Sequence, residues 1–363
     1  MTKPVLGYIG VGLMGLPMVR HLIPRGYRVT AHDLAPQQLA AAVAAGAKAA
    51  KTPADVVAGA DIVVLNLPTI EAVEDVMFGA GGVAKAMKPP QVLVDFSTIS
   101  VEKGRKFIEK LLAESGCGWV DAPVSGGPPA SGSGSLTVMA GGRPEDIAAI
   151  MPLMDDVSQR FTLMGPPGSG LVAKMINQMI VGCTHAVLAE ALVMAEAGGI
   201  DAARIPECLA GGHADGPLLQ RSYPRMAARD FAPQGYARQL LKDLEMVSAF
   251  AGALKSPTPM TGEALNLYRL LVHLGRHQLR HQQLACERGQ IGHCRRRAVP
   301  GRRRARRGRA PVRDRRARRR AAPVRRGRQA RSRTGSRPRA RPPADTARRR
   351  TPRCRRWPGD HRR

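Results

Sequence analysis

The chain has 363 residues and a formal net charge of +29. That length allows two domains of ordinary size, and an evenly spread charge of that sign would imply a polyanionic partner. The charge is not evenly spread: residues 1–275 hold 23 Lys and Arg against 24 Asp and Glu, a net of −1, whereas residues 276–363 hold 34 Arg, no Lys and 4 acids, a net of +30.

The composition excludes a nucleic-acid role for the first three quarters of the chain, so nucleic acid is expected only as a non-specific partner of the tail. Six cysteines form no CxxC pair, so no disulfide framework and no metal site is expected, in keeping with a reducing, cytoplasmic setting. The first strand begins too early for a signal peptide. No uninterrupted apolar run reaches the length of a membrane span, so no membrane partner is expected.

In chain order, short apolar runs alternate with helical patterns over the first 150 residues. Strand-like runs are Leu6–Ile9, Arg28–Ala31, Ile62–Leu65, Val92–Asp95, Trp119–Asp121 and Leu136–Ala140. Helical patterns fall at Leu13–Arg25, Gln37–Ala45, Glu71–Met77 and Val101–Glu114. Such alternation predicts a parallel sheet with right-handed crossovers. Runs as continuously apolar as "DIVVLNLP" predict strands covered on both faces. Beyond "RFTLMGPPGSG" the pattern becomes helical. Residues 171–198 read as one long helix, apolar on all sides and so expected to be buried. Tyr236, Leu240, Leu244 and Val247 recur at helical spacing in the next stretch. From Arg276 the periodicity stops, and Arg with Ala, Pro and Gly cannot bury enough apolar surface to offset ordering entropy.

Gly10-x-Gly12-x-x-Gly15 follows a strand and opens a helix. Gly10 permits a tight turn, Gly12 lets the backbone approach a pyrophosphate, and Gly15 lets helix and strand pack closely. The backbone from Gly10 through Leu13 and Met14 to Gly15 is therefore the expected cofactor loop. The next strand ends in Asp33, placed to accept a hydrogen bond from an adenosine ribose hydroxyl. Leu34 follows, with no Arg to hold a 2′-phosphate, so NAD is expected over NADP. The fold expected is α/β: a Rossmann-type doubly wound parallel sheet over residues 1–163, an all-helical second domain over 164–275, and a disordered Arg-rich tail over 276–363.

"GYIGVGLMGLPM", "DAPVSGGPPASGSGSLTVMAGG", "GSGLVAKMINQ" and "LLKDLEM" occur in one order and spacing. Together they resemble the β-hydroxyacid dehydrogenases, which include 3-hydroxyisobutyrate dehydrogenase and 2-hydroxy-3-oxopropionate reductase. The likeness covers residues 3–275. It implies an NAD(P)-dependent oxidoreductase that interconverts a short β-hydroxyacid and its semialdehyde, and that forms a homo-oligomer. It implies that Ser125, Gly126 and Gly127 bind the substrate carboxylate, as a turn that aims several backbone N–H groups at one anion can. It implies that Lys174 is the catalytic lysine. A lysine within an apolar helix is costly unless paired or neutral, and burial lowers its pKa toward the range useful for proton transfer; the alternative is a lysine reaching out to water.

Asn177, one turn on, is placed to reach the same substrate oxygen. Gln178 stands where the family often has a second Asn, and Ala130 where it usually has Gly. Lys242 matches a lysine near both substrate and cofactor, its alternative being a solvated helix face beside Asp243. Pro68 and Thr98, after strands, match the nicotinamide side. Rival readings are an imine reductase, whose relatives usually lack this lysine, and a non-catalytic polyanion-binding protein using the basic tail. The tail could also be a solvated extension or an out-of-frame translation of a GC-rich gene. Its abrupt onset and its lack of Lys, Asn, Phe and Tyr favour the last.

Overall fold

A computed structural model of the chain describes residues 2–230, 232 and 235–276. The expectations for the Arg-rich tail, including its disorder and its out-of-frame origin, lie outside the described residues. The first half runs β1 (Leu6–Ile9), α1 (Gly15–Leu22), β2 (Val29–His32), α2 (Pro36–Ala44), β3 (Lys48–Ala49), α3 (Pro53–Val57), β4 (Ile62–Leu65), α4 (Ile70–Phe78), α5 (Val83–Ala86), β5 (Val92–Asp95) and α6 (Val101–Ser115). There follow β6 (Gly118–Asp121), β7 (Val124–Ser125), α7 (Gly127–Ser133), β8 (Leu136–Gly141), α8 (Pro144–Val157) and β9 (Ser158–Gly165). The helical remainder is α9 (Ser169–Ala197), α10 (Ile205–Leu209), α11 (Pro217–Ala227), α12 (Ala237–Ala253) and α13 (Pro259–Leu271).

The strands join one nine-stranded sheet in the order β3-β2-β1-β4-β5-β6-β8-β7, with β9 paired to β8. The order reverses between β1 and β4, and ligand crevices form at the carboxyl ends of the strands at such a switch point. Strands β1, β4, β5 and β6 are buried along their whole length, because helices cover both faces. One apolar cluster joins α1 and α8 to the sheet. The other joins α3, α4 and α6, and it takes in Leu171 and Met175 of α9 with Met246 and Val247 of α12.

Three sequence expectations need correction. The sheet is parallel from β3 to β6, but β6–β8 and β7–β8 pair antiparallel; β7 is two residues long and gives no alternation to read. Strand β9 is absent from the strands expected from sequence; it pairs with β8 and is largely exposed, so it leaves no apolar run to read. Helix α9 is not buried all round. Ile176, Ile180, Val187 and Met194 are 51%, 56%, 52% and 74% exposed, and their spacing puts them on one stripe. By length and mean hydropathy α9 is also long and apolar enough to cross a membrane. In this fold it carries the core of the helical half instead, through Ala186, Ala189 and Leu192 packed against α11, α12 and α13.

Candidate active site

The chain turns from β1 into α1 through the glycine loop. Gly10 has φ +94°, and a Cβ there would lie 2.4 Å from the Asn66 carbonyl oxygen. A Cβ on Gly15 would lie 2.1 Å from the Gly10 carbonyl oxygen. Gly12 differs: a Cβ there meets nothing within 4 Å. Two of the glycines are thus required by the protein's own packing, while the middle one faces open space. Helix α1 has no acidic residue in its first turn and no side-chain cap from Met14, which leaves its N-terminus to an outside anion. Asp33 accepts from the Val11 N–H and the Ala35 N–H, both at 2.8 Å, so it ties the loop to the end of β2. These residues fit a dinucleotide, which the open space beside Gly12 and the uncapped helix end would hold.

A cavity of about 930 Å³ lies beyond this loop. Met14 borders it, as do Pro68 after β4 and Thr98 after β5. Ser125, Gly126 and Gly127 form another wall, and Lys174, Asn177 and Lys242 come from α9 and α12. Gly10, Gly12, Leu13, Gly15 and Asp33 lie outside the cavity lining. Gly126 has φ +127°, and a Cβ on it would sit 2.6 Å from the Cβ of Ala130. Ala130 therefore closes the space behind the turn, where the family's usual Gly would leave a gap.

Lys174 is 6% exposed, which removes the alternative of a lysine reaching out to water. Its Nζ donates to the Val124 carbonyl at 2.7 Å, immediately before the Ser125–Gly127 turn. Burial lowers its pKa to about 8; Asp243 pulls upward and Lys242 downward. Lys242 does not lie on a solvated face. It donates to the Pro68 carbonyl at 3.1 Å and the Thr98 carbonyl at 2.9 Å, and it pairs with Asp243 at 3.3 Å. It thereby clasps α12 to the two loops that follow β4 and β5.

Sequence reasoning named Gln178 and Asp243 without assigning either a contact, and passed over a third supporting residue. Gln178, left without a contact in the sequence, accepts from Asn177 at 2.7 Å and donates to Asp243 at 2.5 Å. A chain of polar groups thus runs from Asn177 through Gln178 and Asp243 to Lys242. The third is Asp121 at the end of β6. Its carboxylate accepts from the Gly168 N–H at 2.7 Å and the Leu171 N–H at 2.9 Å, and so holds the start of α9 against the sheet. Burial pushes its pKa up to about 7, against those two donors. The only sequence signal was its place at the head of "DAPVSGG", four residues before Ser125.

A doubly wound sheet with a dinucleotide loop at its switch point, facing a cleft with a buried lysine, defines a nicotinamide-dependent oxidoreductase. Residues 5–165 match the family model described as the NAD binding domain of 6-phosphogluconate dehydrogenase. Residues 168–286 match the one described as NAD-binding of NADP-dependent 3-hydroxyisobutyrate dehydrogenase. The 2-(hydroxymethyl)glutarate dehydrogenase of Eubacterium barkeri is 36% identical over 271 residues, covering 72% of this chain and 87% of that protein. The 3-hydroxyisobutyrate dehydrogenase of Pseudomonas aeruginosa is 33% identical over 272 residues, covering 73% and 91%. The crystal structure of 3-hydroxyisobutyrate dehydrogenase from Salmonella typhimurium superposes with a TM-score of 0.73 at 28% identity, covering 78% of this chain and all of that one. The chain belongs to the β-hydroxyacid dehydrogenase family and is an NAD(P)-binding oxidoreductase.

Proposed function

We propose that this enzyme oxidises a short β-hydroxyacid to its semialdehyde, and reduces the semialdehyde in reverse, with Lys174 as the general base and acid. The buried amine of Lys174 beside the Ser125–Gly127 turn is the observation that carries this reading. Backbone N–H groups of that turn would receive the substrate carboxylate. This anchors the substrate with its hydroxyl toward Lys174 and Asn177. Neutral Lys174 takes the hydroxyl proton as the carbonyl forms; protonated Lys174 returns it to the carbonyl oxygen in reduction. With a pKa near 8, both forms are populated near neutral pH. A bound nicotinamide supplies the hydride chemistry. Lys242 positions the two loops on that side, and Asp121 positions the helix that carries Lys174.

Asp33 supports NAD over NADP. A 2′-phosphate would meet its carboxylate, and the neighbouring Leu34 is 89% exposed and offers no charge. An imine reductase reading is disfavoured by Lys174. The exposed apolar stripe of α9 supports a homo-oligomer, to be read from the mass of the full chain by light scattering. A panel of short β-hydroxyacids and their semialdehydes, each with both cofactors, tests the reaction. We expect NADH formation from hydroxyacids bearing the alcohol one carbon from the carboxylate-bearing carbon, with NAD preferred at least tenfold in kcat/KM, about 1.4 kcal/mol. Turnover of cyclic imines without turnover of any hydroxyacid would end this reading.

A further inference from the structure

The glycine loop and the Ser125–Gly127 turn come from distant parts of the chain, yet one short helix joins them. Helix α7 begins at that turn, and its second half lies against α1, the helix that leaves the glycine loop. Ser131, fully buried, donates from Oγ to the Met14 carbonyl at 2.6 Å. Met14 is the last residue before α1, and it also borders the cavity. The next residue adds a second tie. The Gly132 carbonyl lies 3.2 Å from Nδ1 of His21 on α1, and Nε2 of the same buried ring lies 2.8 Å from the Asp156 carbonyl near the end of α8. A Cβ on Gly134, which closes α7, would lie 2.3 Å from that Nε2 and 2.4 Å from that Asp156 carbonyl oxygen. Only glycine lets α7 end this close to the junction.

The other end of α7 is equally tight, because Gly126 packs directly on Ala130. From Gly127 to Ser131 the helix rises only about 6 Å at 1.5 Å per residue, so it acts as a short strut. Its own fold does not call for the Ser131 hydroxyl. Ser133 shows the ordinary alternative, bonding back to the Pro129 carbonyl of the same helix at 3.0 Å. Ser131 bonds outward instead, and a buried hydroxyl is costly without such a partner. Its acceptor stands at the uncapped start of α1, where an anion would order the backbone. Ordering supplied by one ligand does not have to be supplied again for a second that uses the same rigid body.

We propose that Ser131 is a positioning residue that ties the Ser125–Gly127 turn to the cofactor loop, so that a dinucleotide at the loop tightens the turn around a substrate carboxylate. The proposal rests on the reading above, in which that turn receives the carboxylate. It places the coupling in α7 and its bond to Met14, apart from any direct contact between nicotinamide and substrate.

The test uses the full chain and ADP-ribose, which fills the loop but carries no nicotinamide to touch a substrate. At saturating ADP-ribose, hydrogen exchange of residues 125–135 should slow at least about fivefold in the wild type, the lower end of ordinary coupling between sites. In Ser131→Ala the same addition should slow it less than about twofold. Isobutyrate, a non-reacting carboxylate titrated by calorimetry, should bind at least about fivefold tighter with ADP-ribose than without, and that ratio should fall below about twofold in Ser131→Ala. Ser131→Cys keeps the size and a weaker donor. It should lie between the two, and it carries the comparison if alanine disturbs the packing. Exchange unmoved by ADP-ribose in the wild type, or slowed equally in Ser131→Ala, overturns the proposal. Slowed exchange that depends on Ser131, with no isobutyrate binding in any state, upholds the tie and instead overturns the carboxylate role of the turn.

Discussion

The glycine loop and the lysine cleft are built on opposite plans. The loop is local: Gly10, Gly15 and Asp33 lie within two dozen residues, and their contacts are with one another and with the strand next door. The cleft draws on residues from Met14 to Asp243, which meet only because α9 and α12 dock on the carboxyl edge of the sheet. The loop's fitness is steric, a matter of where a Cβ fits. The cleft's is electrostatic, because burial brings the pKa of the Lys174 amine down to about 8. Substitutions should therefore separate the two by what they damage.

The largest effect is expected at the amine. Lys174→Ala should lower kcat by about 100- to 10,000-fold, the usual worth of general acid–base catalysis, while fluorescence titration finds NAD affinity close to wild type. In the intact enzyme, oxidation requires neutral Lys174. Its kcat/KM should therefore rise with pH and level off above about 8, and the reductive direction should fall over the same range. A flat profile through that window would remove Lys174 from the proton transfer.

The loop should respond to position rather than charge. Gly15→Ala drives a Cβ against the Gly10 carbonyl and should cost about 1–3 kcal/mol of stability, seen as a lower Tm without cofactor. Gly12→Ala has room. It should leave Tm unchanged but weaken NAD binding roughly tenfold, about 1.4 kcal/mol. The reverse pattern would contradict the division of labour among these glycines.

Two substitutions probe the link between the regions. Asp121→Asn sets an amide N–H donor against the Gly168 or Leu171 N–H. It should cost about 1–3 kcal/mol of stability through the unmet donor, and lower kcat by loosening the start of α9. Gln178→Asn restores the residue common in the family, but with a shorter reach to Asp243. Loss of one hydrogen bond worth about 1 kcal/mol should lower kcat about fivefold, with KM for NAD unchanged. An unaltered kcat would show that the Asn177–Gln178–Asp243 chain does not support the lysine.

Much of this architecture was legible before any coordinates. β1, β4 and β5 were read with their observed ends, because buried parallel strands leave uninterrupted apolar runs. Strands β3 and β7 were not, since two residues carry no period. The exposed stripe of α9 was hidden for a different reason: Ile, Val and Met on its outer face look in sequence just like those on its inner face.

The sequence alone determined the positions of chemistry: glycines where only glycine fits, a carboxylate at the end of the second strand, a lysine in an apolar helix. These are local requirements of backbone and side-chain type, so they survive in one dimension. Tertiary structure alone decided that the lysine is dry and beside Val124, that Lys242 clasps two loops, and that Ser131 of α7 reaches the Met14 carbonyl. Burial and charge coupling depend on neighbours distant in the chain, and linear spacing carries no record of them.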